Sequence, residues 1–201
     1  MSKADKYLEY VYEKLKIANL NEKDKFNFID DIIYELNVIN KNKKISVKTT
    51  GTISERLCEL GLKASIPELY EHLGKDWKWI GDFYLKGEPF NVIISVKSFT
   101  AKERLLASGT GNLLSPTIAF GLFDDSTEWT NERIQSYIFR GFFAVYMPDD
   151  FLMGLPVETR GINNFLGTPF LRKISNFPSD LLSAVKETKK KKRKFIDPRK
   201  I

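Results

Sequence analysis

Hydrophobic residues recur with helical spacing through the first forty positions of the chain. The segment Lys6–Ala18 has apolar positions close to a 3.6-residue period, which predicts an amphipathic helix. A second apolar face runs over Phe26–Ile39, and Asn21 precedes it as a candidate N-cap. The polar run Asn40–Lys44 ends this pattern. Residues 1–44 are therefore predicted to form a helical hairpin suited to dimerisation.

Helical and strand-like patterns follow one another between residues 45 and 186, the predicted core. The predicted helices are Ile53–Leu62, Glu68–Leu73, Ser126–Phe139 and Leu181–Lys186. The predicted strands are Ile45–Thr50, Trp79–Leu85, Phe90–Phe99, Thr117–Phe123 and Phe142–Tyr146. The remaining stretch, Asp149–Pro178, is rich in loop residues. This order predicts an α/β (α+β) fold, with a mixed central sheet flanked by helices.

The stretch Trp79–Thr100 is predicted to be a β-hairpin with two charges inside its apolar strands, Asp82 and Lys97. A buried charge without a partner costs several kcal/mol, so each needs a partner, water or a metal. If Lys86 pairs with Asn91, Asp82 lies opposite Ser95 and one step from Lys97. The acid and the amine then converge at one end of the hairpin.

Composition narrows the class of protein. The chain has 201 residues, 42% hydrophobic, with a single cysteine and a single histidine. An intrachain disulfide, a cysteine-rich zinc site and a multi-histidine metal site are therefore excluded or hard to build. No apolar run is long enough for a membrane span, and the N-terminus lacks the apolar segment of a secretory signal. We expect a cytoplasmic protein with no membrane partner.

The positive charge is concentrated at the C-terminus. Residues 186–201 carry a net charge of +7, whereas the other 185 residues sum to −1. The block Lys189–Lys194 consists of like charges, which predicts disorder, and residues 187–201 are expected to be a basic flexible tail. Such a tail serves either as a nonspecific DNA arm or as a solubilising end.

Nucleotide-binding and hydrolase motifs are absent: the sequence has no G-x-x-x-x-G-K-[ST] loop and no G-x-S-x-G elbow. What remains is Asp82, a turn, and a strand carrying Ser95-Val96-Lys97. This arrangement resembles the PD-(D/E)XK nuclease superfamily, particularly type II restriction endonucleases. There an Asp begins one strand of a hairpin, and an acid and a Lys lie two residues apart on the next strand.

The resemblance implies roles for individual residues. Asp82 takes the position of the first acid and Lys97 that of the lysine, while the Val96 carbonyl is the expected backbone ligand of Mg²⁺. Gly81 stands where the family has Pro. Ser95 departs from the pattern, because the family has Asp or Glu there. Either a second acid comes from elsewhere, or a water bridges Ser95 to the metal, or the site is degraded.

For the second acid, Glu55 on the preceding helix and Glu88 in the turn are the candidates, and Glu55 is favoured. The polar segment after Lys97 supplies candidate contacts to DNA phosphates and base edges. These candidates are Lys102, Arg104, Ser108, Thr110 and Asn112. Arg104 and Asn112 suit base readout, since Arg matches guanine and Asn matches adenine.

The resemblance therefore implies a Mg²⁺-dependent, sequence-specific double-stranded DNA endonuclease acting as a homodimer. Two hypotheses from other functional classes stay open: a DNA-binding protein without catalysis, and a protein-interaction module. Asp82 and Lys97 could also be a cross-strand ion pair that contributes little. Trp77 and Trp79 are expected to be core or edge-strand aromatics and not platforms for base stacking.

Overall fold

The computed structural model describes residues 1–99, 115–189 and 192–201. Within these ranges the α-helices are α1 (Lys3–Lys14), α2 (Glu22–Phe26), α3 (Ile29–Lys43), α4 (Val47–Ser65), α5 (Asn131–Phe139), α6 (Asp149–Gly154), α7 (Val157–Arg160) and α8 (Phe177–Ala184). The strands are β1 (Tyr70–His72), β2 (Phe83–Leu85), β3 (Val92–Lys97), β4 (Thr117–Gly121), β5 (Phe142–Met147), β6 (Leu171–Lys173), β7 (Val185–Thr188) and β8 (Arg193–Ile196).

Strands β1 to β6 form one mixed sheet in chain order. The pairs β1–β2 and β2–β3 are antiparallel, and the pairs from β3 to β6 are parallel. Because β3 and β4 are parallel, their carboxyl ends lie side by side, with Lys97 paired to Gly121. The sheet carries helices on both faces, so the predicted α/β class with a mixed central sheet is confirmed.

The two faces of the sheet pack into separate apolar cores. On one face, Ile94, Ile118 and Tyr146 pack with buried residues of α1, α3, α4 and α8. On the other face, Ala119 and Val145 pack with α5. The N-terminal helices thus share a hydrophobic core with the sheet.

The β2–β3 hairpin has the register that the sequence analysis predicted. Phe83 pairs with Ile94 and Leu85 with Val92, while Asp82, just before β2, donates its backbone N–H to the Ile94 carbonyl. The first strand begins at Phe83 and not at Trp79, because Ile80 donates a backbone hydrogen bond to the Trp77 carbonyl and closes a turn.

Two predicted elements before this hairpin are wrong. Residues Ile45–Thr50 were expected to form a strand, but α4 begins at Val47, where the Ser46 side chain caps the helix. The Thr50 hydroxyl donates to the Val47 carbonyl at 2.9 Å, which accommodates a β-branched residue in the first turns. Residues 68–73 were expected to be helical, but β1 forms there because its residues pair with β2.

The C-terminal residues also differ from expectation. The last helix is α8, which ends at Ala184, and β7 and β8 then form an antiparallel two-stranded ribbon. Ile196 and Ile201 are buried in the core that contains Ile94, so the described part of the tail is folded. Its charge does not prevent folding because Asp197 pairs with Lys186 and Arg199.

Candidate active site

The carboxylate of Asp82 lies at the start of β2, against the end of β3. The backbone N–H of Asp82 donates to the Ile94 carbonyl at 2.8 Å, and the Asp82 Oδ2 accepts a 2.7 Å hydrogen bond from the Val96 N–H. Leu73 donates its N–H to the Asp82 carbonyl at 3.0 Å, which ties β1 to the same point. Asp82 is therefore held by backbone contacts from two neighbouring strands.

The Val96 carbonyl faces the same side as its N–H, because both groups of one strand residue point to the same neighbour. The backbone groups of Ser95 and Lys97, on either side of Val96, point to the other neighbouring strand, β4. The hydrogen bond from the Leu122 N–H to the Lys97 carbonyl shows this direction. A carboxylate oxygen and a carbonyl oxygen thus converge where β2 has not yet begun. Such oxygens are the ligands that Mg²⁺ prefers.

Ser95 and Lys97 project from β3 on the face opposite Val96. The Lys97 Nζ donates to the Ser95 Oγ at 2.6 Å, and Ser95 is fully buried. The ammonium of Lys97 also attracts the Asp82 carboxylate and acts to lower its pKa. The structure therefore brings Asp82, Ser95 and Lys97 together at one end of the hairpin.

Burial is the largest influence on the Asp82 carboxyl group and raises its pKa above the usual value. The Val96 N–H opposes this shift, and so do the charges of Lys97, Lys78 and His72. Since the net shift is upward, the neighbouring cations do not fully compensate the ionised carboxylate for its lost hydration. Additional positive charge at this point would be favourable.

Glu55 lies on α4, beside the same hairpin end. Its Oε1 is 3.6 Å from the Lys78 Nζ, and Lys78 also acts electrostatically on Asp82. Burial raises the pKa of the Cys58 thiol, and the carboxylates of Asp82, Glu59 and Glu55 raise it further, which places both candidate acids near one buried thiol. Lys78 stands between the two acids, a role that the sequence analysis missed.

Glu88, the other candidate for the second acid, does not fit. It lies in the turn at the far end of β2, where its carboxylate is 3.3 Å from Arg193. Its backbone N–H donates to the Ile196 carbonyl of the terminal ribbon. Because β2 runs from Asp82 towards this turn, the turn lies at the opposite end of the β2–β3 hairpin from Asp82.

The chemistry of the donors is compatible with Mg²⁺ but sparse. Within the described ranges, no group of three or more His, Cys, Asp or Glu side chains is arranged so that it could hold a metal ion. Mg²⁺ commonly takes one or two carboxylates and completes its shell with water and substrate phosphate. Such a shell would contain the carboxylates of Asp82 and Glu55 and the Val96 carbonyl, provided that the Glu55 carboxylate left Lys78 and bound the metal.

The candidate DNA contacts after Lys97 cannot be compared with the structure. Lys102, Arg104, Ser108, Thr110 and Asn112 all lie outside the described residues.

The expected placement of Trp77 and Trp79 in the core or in an edge strand is wrong, because both side chains are more than half exposed and both residues lie in turns. Their segment, Lys75-Asp76-Trp77-Lys78-Trp79, interleaves lysines with tryptophans directly before Asp82. This alternation of lysine with tryptophan was the sequence feature from which the exposure of Trp77 and Trp79 could have been predicted.

No protein-family model matches this sequence, and no curated protein matches it. Among solved structures, the chain is similar to one described as a restriction endonuclease PspGI–substrate DNA complex. The similarity covers 90% of this chain and 92% of that chain, with 14% sequence identity and a TM-score of 0.57. Within the described residues, no helix is long and apolar enough to cross a membrane. The protein has a restriction-endonuclease-like fold.

Proposed function

We propose that this protein is a Mg²⁺-dependent, sequence-specific endonuclease of double-stranded DNA, acting as a type II restriction enzyme. The observation that carries the proposal is the convergence of Asp82 and Lys97 at one hairpin end in this fold. The DNA bound in the similar solved structure supports DNA as the substrate.

In the proposed reaction, water attacks a backbone phosphorus in line and leaves a 5′-phosphate and a 3′-hydroxyl. Asp82, the Val96 carbonyl and Glu55 would hold Mg²⁺, which supplies positive charge at the scissile phosphate when bound. Lys97 orients the attacking water and offsets charge on the phosphate. Ser95 holds the Lys97 ammonium in place by accepting its hydrogen bond at 2.6 Å.

Plasmid cleavage tests these assignments. We expect the wild-type protein to give discrete fragments with Mg²⁺, and Asp82→Asn and Lys97→Met to lose at least about 100-fold in rate, since each removes a group that acts on the transition state. The matched controls are Asp24→Asn and Lys23→Met, which change the same residue types at exposed positions on α2. Cleavage at the wild-type rate by either Asp82→Asn or Lys97→Met would overturn the assignment of that residue.

A second function is favoured by one observation: Ser95 places a hydroxyl where the resembled family has an acid. The protein would then be a DNA-binding protein of nuclease fold without catalysis. Specific binding of a duplex by the wild type, with no cleavage in Mg²⁺ or Mn²⁺, would establish this alternative.

The proposed assembly is a homodimer formed through residues 1–44. The exposed tyrosines Tyr10 and Tyr34 both influence the pKa of Lys14, so they lie near one another across α1 and α3. An open groove of about 570 Å³ lies along the same two helices, with Tyr7, Val38 and Ile39 in its walls beside charged residues that include Lys14 and Glu35. These aromatic and apolar side chains supply a surface that a second copy of the chain would cover.

The role proposed for the terminal ribbon is to add affinity for DNA that depends on salt and not on sequence. Lys192, Arg193 and Lys194 are exposed on it. They lie beside the hairpin turn, at the opposite end of β2 from Asp82, since the Ile196 N–H donates to the Lys86 carbonyl.

A further inference from the structure

The segment Lys75–Trp79, here called the tryptophan loop, lies in the connection between β1 and β2. The base of this connection is closed by the hydrogen bond from the Leu73 N–H to the Asp82 carbonyl. A 3₁₀ turn over Lys75–Trp77 and the bond from the Ile80 N–H to the Trp77 carbonyl fix its path. The loop is therefore anchored to the same residue that provides the candidate catalytic carboxylate.

Trp77 and Trp79 are exposed by 55% and 56%. The third tryptophan of the chain, Trp129, is only 3% exposed and packs against Phe123 and Tyr137. Burying an indole is strongly favourable, so two exposed tryptophans in one loop are not explained by packing against the part of the chain that the structure describes. Both indoles thus lie exposed in the loop that leads to Asp82.

The charges of the loop favour nucleic acid over an apolar protein partner. Lys75 is exposed beside Trp77, and Lys78 lies between the tryptophans with its Nζ directed to Glu55. Proteins that hold exposed bases combine such cations, which attract the phosphate backbone, with aromatic rings on which the bases stack. One acid, Asp76, lies in the loop, and the two lysines leave it net positive.

We propose that Trp77 and Trp79 stack on nucleobases next to the phosphodiester bond that the candidate site cleaves. This inference rests on the proposed function, because it takes the substrate to be DNA. The ligand is the face of a base, either in an unpaired stretch or in a duplex that the indole opens as a wedge. The loop thereby positions the nucleotides that flank the scissile phosphate.

Indole fluorescence of the full chain tests the proposal in EDTA, where no cleavage occurs. The probes are a single-stranded oligonucleotide, a fully paired duplex and a duplex with a central mismatched bubble, each also followed by anisotropy of a label on the DNA. We expect DNA to quench the wild-type emission, and Trp77→Leu and Trp79→Leu each to weaken binding roughly tenfold. In the double variant only Trp129 still emits, and DNA should leave that emission unchanged.

The probes distinguish the source of the base. Stronger quenching by the single strand and the bubble supports stacking on unpaired bases, and equal quenching by the paired duplex supports a wedge. Phe139→Leu is the matched control, because Phe139 is also exposed, by 92%. It lies at the end of α5, before β5 begins, and therefore at the opposite end of the parallel strands from Asp82. This control should bind DNA like the wild type.

Unchanged emission on DNA binding, together with wild-type affinity in both tryptophan variants, would overturn the proposal while leaving the nuclease function intact. Loss of self-association in those variants, with DNA affinity retained, would overturn it in favour of an interface between copies. Quenching without plasmid cleavage in Mg²⁺ would refute the nuclease function alone and leave the loop as a DNA contact.

Discussion

Ser95 stands where the resembled family has its second carboxylate, and Asp82 stands at the position of the first. Ser95 is fully buried and accepts a hydrogen bond from Lys97, so its hydroxyl positions the lysine without adding negative charge. Asp82 is then the hairpin's own carboxylate at this end. Its upward pKa shift, caused mainly by burial, indicates a site whose ionised form is stabilised by a further cation.

The raised pKa of Asp82 predicts how the stability of the protein depends on pH. The folded pKa of Asp82 is raised above 3.8, so between 3.8 and the folded value the native state binds more protons than the unfolded state. Stability therefore falls as pH rises through that window, and the loss persists at neutral pH. Without divalent cations, Asp82→Asn should be more stable than the wild type at pH 7 and equally stable near pH 3.

Urea unfolding at both pH values in EDTA measures this difference, and the exposed Asp76→Asn serves as the control. Added Mg²⁺ should stabilise the wild type and not Asp82→Asn, because only a protein that binds the ion gains from it. If the Asp82→Asn variant were less stable than the wild type at pH 7, the Val96 N–H and the cations Lys97 and Lys78 would outweigh burial, which would contradict the prediction.

At the scale of elements, the sequence predicted the parts whose patterns are local. The alternation of Val92, Ile94 and Val96 with Ser95 and Lys97 set the faces of β3, and the turn Lys86–Asn91 set its register. The predicted strand over Thr117–Phe123 is likewise present as β4. These elements are specified by neighbours in sequence.

The elements that the sequence did not predict depend on distant partners. Strand β1 exists because Tyr70 and His72 pair with β2, and the ribbon β7–β8 exists because Ile196 reaches the core. At the site, Asp82 and Lys97 were predictable from the hairpin pattern. Lys78 was not, because its position between Glu55 and Asp82 depends on how a loop packs against α4.

The terminal ribbon gives a prediction at this scale. Asp197 is 1% exposed, and its carboxylate accepts hydrogen bonds from Arg199 at 2.9 and 3.1 Å and pairs with Lys186. The bonds from Arg199 are the largest cause of its lowered pKa. Asp197→Asn should therefore reduce the free energy of unfolding by about 1–3 kcal/mol at pH 7.

Because the folded pKa of Asp197 is lowered, its contribution is complete above about pH 4, declines as pH falls below the unfolded value, and is lost as pH falls through the folded pKa. Urea titrations at pH 7 and pH 3 should show the cost of Asp197→Asn shrinking at the lower pH. Glu187→Gln on β7 is the control, since Glu187 is exposed and its loss should change stability by under about 0.5 kcal/mol. An equal cost at both pH values would contradict the ion-pair explanation.

In the proposed assembly, each chain carries one candidate site and an exposed helical surface. The helices α1 and α3 bury Leu8, Val11 and Ile32 in the core that they share with the sheet, yet leave Tyr10 and Tyr34 exposed by 57% and 67%. Their inner faces thus stabilise the fold, while their outer faces are available to a second copy. A symmetric dimer would bring two sites to the two strands of a duplex.

This arrangement predicts the form of the DNA product. We expect the wild type to sediment as a dimer at micromolar concentration and to convert supercoiled plasmid directly to linear DNA. The double variant Tyr10→Glu/Tyr34→Glu should sediment as a monomer, because two charges desolvated at an interface oppose association. With one site per particle, it should accumulate nicked circles before linear DNA.

Phe139→Glu is the matched control, because it places the same charge on an exposed aromatic position outside these helices. It should leave both the sedimentation and the product pattern unchanged. A Tyr10→Glu/Tyr34→Glu variant that stays dimeric would exclude the α1–α3 surface as the interface. A monomeric variant that still produces linear DNA at the wild-type rate would separate dimerisation from double-strand cleavage, because each chain would then be cutting both strands by itself.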